Sequence, residues 1–286
     1  MDKQSILEMI KDREAQLDIE KPILTAADQA LMQNMIREIN EAVGGRLRGY
    51  SDLVDQYIHG AGEIVAKYIF RFEDQGTRAS LLHHLVGNKT YSVKPVKDAA
   101  EIVWQLYTAY RNSEEFAVWT IRMEYDDAFA RLRAKKLADR LIESVRNPLE
   151  FNALPRTVKM LAALKKPELE AILLDALADP GKMEKYLKIP AVREQFRFDQ
   201  QQVEKECRRW STTSVLKAVV GIQYYPSEMA LRLLREYDAR KQEEMQKKLL
   251  TCKTRTEKYD VKYDYDHIQK VVLKSIGQIE KAFSRR

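Results

Sequence analysis

Turn-forming residues are scarce in this chain, and that scarcity limits its fold more than any other feature. Ten glycines and eight prolines serve 286 residues, about half the average share. A sheet protein built from short strands needs turn residues every few positions. So few breaks favour long helices instead.

The apolar periodicity agrees with this. Met32, Met35, Ile36, Ile39 and Val43 recur at helical spacing. Thr25 is placed to cap that helix at its start, and Gly44-Gly45 to stop it. From Tyr50 to Phe72 an apolar stripe predicts one long helix, interrupted at Gly60 and Gly62. Pro95 is expected in the first turn of a further helix carrying Val103, Tyr107 and Tyr110.

Beyond Asn147 the pattern shortens. Pro148, Pro155, Pro167, Pro180 and Pro190 divide the chain into short apolar segments. Short helices separated by Pro turns resemble a stacked helical array, HEAT-like in style, though no consensus repeats. A multi-helix bundle fits the same segments. The fold class is therefore all-α, with about a dozen helices. One stretch departs from it: Tyr259, Val261, Tyr263 and Tyr265 alternate with Asp260, Lys262, Asp264 and Asp266. A period of two predicts a short extended segment, for which Tyr91-Ser92-Val93 is the available partner. The preceding helix loses its apolar stripe after Tyr237, so residues 240–248 are expected in solvent. The change in helix length near Asn147-Pro148 divides the chain into 1–147 and 148–286, as two regions or one continuous domain.

Charge follows the same division. Residues 1–45 hold 5 basic and 9 acidic side chains, whereas residues 151–286 hold 28 and 19. A basic C-terminal half attracts polyanions and also aids solubility. No apolar run is long enough to span a bilayer, and the first residues lack a signal-peptide core. Two cysteines suggest no disulfide framework. These features predict a cytoplasmic protein without a membrane partner.

Motifs for chemistry are weak throughout. Gly44 to Ser51 resembles a phosphate loop, but Tyr50 stands where the loop needs lysine. His59 and Glu63 have helical spacing without further ligands, and His83-His84 diverge on a helix, so no metal is expected. Glu124, Asp126 and Asp127 form an acidic cluster within reach of Arg122 and Arg131, which explains it as ion pairing. Cys207 precedes Arg208-Arg209, whose charges favour a thiolate, but Thr213 stands where a phosphatase loop needs arginine, so a buried structural thiol is expected. No catalytic residue and no cofactor follow from these patterns.

Basic side chains are the remaining signal. Arg133, Lys136 and Arg140 fall at i, i+3 and i+7, and Lys205, Arg208 and Arg209 sit beside Trp210. Cations at that spacing suit phosphates, and an aromatic neighbour suits base stacking. Three functions remain: a non-catalytic helical scaffold binding a protein or peptide, a nucleic-acid-binding protein, or an enzyme assembled from scattered residues.

Overall fold

A computed structural model describes residues 24–45, 47–55, 57–87, 93–133, 135–196 and 198–285. The described residues are helical in nearly every element, with no sheet among them, in keeping with an all-α helical array. They group into two compact units, Met1–Lys97 and Asp98–Arg286. The expected change at Asn147-Pro148 falls inside the second unit, at the start of a helix.

The first unit contains α1 (Ala26–Val43), α2 (Tyr50–Asp55), α3 (Gly62–Tyr68) and α4 (Gln75–Leu85). Thr25 Oγ1 accepts the Asp28 N–H at 3.1 Å and caps α1. Gly44 ends it in the left-handed region, at φ 66°. Asp28, buried, then accepts the N–H groups of Glu73 and Asp74 at 3.0 and 3.2 Å, tying the turn before α4 to α1. The single helix expected over Tyr50–Phe72 is broken between α2 and α3. Gly60 takes φ 88° in the break. Gly62 sits so close to α4 that a Cβ there would lie 2.7 Å from the His84 carbonyl oxygen, so only glycine admits this approach.

The second unit begins with α5 (Ala99–Arg111). It starts four residues later than Pro95 suggested, because Asp98 adopts φ 58° and its carbonyl accepts the first N–H bonds of the helix. Then come α6 (Trp119–Leu132), α7 (Ala138–Ser144), α8 (Pro148–Ala153), α9 (Pro155–Ala162), α10 (Pro167–Ala178), α11 (Lys182–Leu187), α12 (Pro190–Phe196) and α13 (Gln200–Arg209). The wide π turn Trp210–Ser214 leads into α14 (Val215–Ile222), followed by α15 (Glu228–Thr251) and α16 (Arg255–Phe283). Prolines stand at the first helical position of α8, α9, α10 and α12, where a missing N–H is harmless. Tyr107, Tyr110, Phe116, Tyr125 and Phe129 form the aromatic core between α5 and α6, with Tyr110 stacked on Tyr125 at 5.1 Å. Further on, α14 packs on α9, α10 and α16, and α15 runs against α16.

The extended segment expected at 259–266 is helix, part of α16. Tyr91 and Ser92, its suggested partners, lie outside the described residues. A capping box explains the start of the helix: Thr254 accepts the Glu257 N–H at 3.1 Å, and the Glu257 carboxylate accepts the Thr254 N–H at 3.1 Å. The alternation came from two interleaved helical stripes. Val261, Tyr265, Ile268, Val272, Ser275 and Ile279 face inward or sideways, while Tyr259 and Tyr263 lie four apart on an exposed face.

Candidate functional surfaces

A buried polar hub lies at the centre of the second unit. Arg122 of α6 and Glu206 of α13 have side chains 0% and 3% exposed. The guanidinium grips the carboxylate with two nitrogens, at 2.5 and 3.1 Å. Asn152 of α8 donates to the same carboxylate at 2.7 Å. Arg209 adds a third donor group at 2.7 Å, its guanidinium carbon 3.7 Å from the Trp119 ring centre. Ser214, at the far end of the π turn, donates to the side-chain amide oxygen Oδ1 of Asn152. At the near end Trp210 packs on Phe151 at 5.4 Å. Both ends of the turn are thereby fixed to α8. A carboxylate in this setting is stable only because every side of it meets a donor.

The hub changes the reading of the predicted basic residues. Arg133, Lys136 and Arg140 do not share one helix. Arg133 ends α6 at φ 48°, Lys136 stands in the short 3₁₀ turn Lys135–Leu137, and Arg140 belongs to α7. Arg140 is occupied by Glu101 at 2.9 Å. In the second group, Lys205 and Arg208 face solvent, while Arg209 turns inward to Glu206. Trp210 is 1% exposed and cannot stack a base. The cause is the inward stripe of α13: Val203, Glu206 and Trp210 fall at i, i+3 and i+7, and the cations beside them divide between two faces. Asn152 and Trp119 carried no local signal in the sequence, the signal at Arg122 pointed to the wrong carboxylates, and only the stripe shared with Val203 and Trp210 pointed to Glu206.

The groups considered for chemistry have structural partners. Asp126 caps α9 from outside, accepting the N–H groups of Arg156 and Thr157 at 3.0 and 2.8 Å. Burial pushes its carboxyl up to about 6, against the pull of those N–H groups. Asp127 pairs with Arg131 and Arg156. Arg122, expected beside this cluster, goes to Glu206 instead. His59 lies in the turn before α3, so it shares no helix face with Glu63. His84 is buried, with Nε2 2.8 Å from the Leu53 carbonyl oxygen and no partner on Nδ1. Burial and the adjacent His83 pull it down to about 4. The Cys207 thiol is shifted up, not down: burial dominates, and Glu184 and Glu206 add to it. Among the described residues no three His, Cys, Asp or Glu side chains converge on a metal position. None of the described helices is long and apolar enough to cross a membrane.

The outer half of the α15–α16 hairpin is built differently. The last buried side chain of α15 is Tyr237, and the first of α16 is Tyr265. Between them no side chain is fully buried over roughly 15 Å or more, at 1.5 Å per residue, although Arg240 still reaches the Leu177 carbonyl at 2.9 Å. Leu250 is 87% exposed, Tyr259 66% and Tyr263 65%, the two tyrosine rings stacking 6.3 Å apart. No protein-family model, curated protein or solved structure matches this chain.

Proposed function

We propose that this chain is a non-catalytic helical binding protein that engages another protein or peptide through the free end of the α15–α16 hairpin. One observation carries the reading: Leu250, Tyr259 and Tyr263 are the most exposed large apolar side chains among the described residues. Tyrosine offers a large, rigid contact area and a polar tip, and it is enriched where proteins meet. The capping box at Thr254 and Glu257 holds the turn between the two helices, so the side chains are presented on a preformed surface. Nucleic acid is the second reading, favoured by Arg133, Lys136, Lys205 and Arg208, which are exposed and unpaired among the described residues.

A photoreactive phenylalanine analogue at position 259, expressed in the native host, tests the first reading. The expected result is a protein adduct of defined mass, lost when Leu250→Ser and Tyr263→Ser are added, and absent with the probe at Glu143. Equal adducts at both probe positions, or none at 259, would contradict it.

A further inference from the structure

At the opposite end of α16, about 30 Å from Tyr259 at 1.5 Å per residue, the surface has a different chemistry. The turn after α9, the turn between α14 and α15, and the last turns of α16 enclose a groove of about 470 Å³. That size suits a small ligand. Four cations line it: Lys165, Lys274, Lys281 and Arg285. Gln278 and Tyr224 add neutral polar groups, and no carboxylate lines the groove. None of the four cations has an ion pair among the described residues. The carboxylates nearby are engaged or lie outside it. Glu280 pairs with Arg235 at 3.0 Å, and Glu168 and Glu170, which bear on the Tyr225 phenol, do not reach the lining.

We infer that this groove binds a compact ligand carrying two or more phosphate groups, held by Lys165, Lys274, Lys281 and Arg285. Like charges brought together without counter-charge repel. The arrangement is favourable when an anion occupies the space between them, and several separated cations match several phosphates better than one. Lys281 and Arg285 also lie near the carbonyl end of α16, which attracts cations wherever it occurs. Lys165 stands at the carbonyl end of α9, its N–H on the Ala162 carbonyl at 3.1 Å, so the same effect reaches it, but Lys274 is left unexplained. Lys165 adopts φ 57°, a conformation favouring glycine, yet the chain places a lysine there. Its wall is held in place: buried Tyr225 donates to the Lys166 carbonyl at 3.0 Å, and Lys166 reaches Asp139 at 2.9 Å. The groove is therefore preorganised on the side opposite α16. This inference is independent of the partner proposed for the hairpin end.

Isothermal titration of the full chain with inorganic tripolyphosphate, ATP, inositol hexakisphosphate and inorganic phosphate tests it. At least one of the first three is expected to bind saturably, and tighter than inorganic phosphate. Lys165→Gly, which suits the local backbone, is expected to weaken binding about tenfold, and Lys274→Glu with Lys281→Glu about a hundredfold or more. Lys94→Glu with Lys97→Glu, exposed in the first unit and outside the groove, serves as control and is expected to change affinity less than about twofold. Circular dichroism of each variant confirms the fold. The proposal is overturned by an absence of saturable binding at millimolar polyphosphate, by equal losses in the control, or by phosphate binding as tightly as tripolyphosphate. It is also overturned if a labelled single-stranded RNA binds through these residues and millimolar tripolyphosphate fails to displace it, since the occupant is then an extended nucleic acid.

Discussion

The hub around Glu206 and the groove beside Lys274 treat positive charge in opposite ways. In the hub, two guanidinium groups and an amide surround one carboxylate, away from water. In the groove, four cations share a space with no carboxylate at all. Both lie in the same unit of the same chain. A buried charge is tolerated only when matched, so evolution of the core enforces pairing. A surface charge is inexpensive unpaired, so its arrangement is free to serve a ligand. The position of a cation relative to water therefore says more about its role than its spacing in the sequence.

This contrast is sharpened first by removing Glu206. Glu206→Ala takes away the carboxylate that buried Arg122 grips with two nitrogens, and the second unit is expected to lose about 3–5 kcal/mol in urea unfolding followed by tryptophan fluorescence. Replacing both partners, as Arg122→Met with Glu206→Leu, is expected to recover most of that loss. A double variant as unstable as the single one would show that the pair itself, and not the charge left behind, supplies the stability.

Buried titrating groups divide the two units by pH. His84 is depressed from 6.5 to about 4, so the first unit's contribution from neutral His84 is complete above pH 6.5 and is lost as pH falls through 4. The shift corresponds to about 3 kcal/mol at most. Asp126 is raised from 3.8 to about 6, so its contribution is complete below 3.8 and is lost as pH rises through 6. Denaturation between pH 4 and 7 is expected to show opposite changes in slope for His84→Gln and Asp126→Asn relative to the parent. Slopes altered in the same direction would contradict these assignments.

Ser214→Ala removes one donor to Asn152 at the edge of the hub, and a loss of about 1 kcal/mol is expected. At the small end, Lys205→Ala and Arg208→Ala are expected to change stability by less than about 0.5 kcal/mol each. A large loss in either would mean that these exposed cations belong to the structural set.

Local features were legible in the sequence where a local cause produced them. The Thr25 cap, the stop at Gly44, the prolines opening short helices and the end of the buried stripe at Tyr237 each depend on neighbours within a few residues, though Arg240, expected in solvent, donates to the Leu177 carbonyl. Two local readings failed through competition. Tyrosines at 259, 263 and 265 satisfied a period of two by accident of two helical stripes, and the capping box decided for helix. Arg133 took a left-handed conformation and split the helix on which Arg133, Lys136 and Arg140 were to align. The hub was illegible for a different reason. Arg122 and Glu206 stand 84 positions apart, and Glu206 lies within an ordinary-looking run of charges from Glu204 to Arg209. Its place on the stripe with Val203 and Trp210 was the one available hint. The groove is also non-local, since Lys165 meets Lys274 and Lys281 only after α14 packs against both α9 and α16.

The division between structural and ligand-binding cations is tested most directly by two titrations on two variants. Glu206→Gln, and Lys274→Glu combined with Lys281→Glu, are each unfolded in urea and, while folded, titrated with tripolyphosphate. The account predicts that the first loses stability and keeps the parent's affinity, whereas the second keeps stability and loses affinity about a hundredfold. A groove variant that loses stability as the hub variant does, with affinity unchanged, would contradict it.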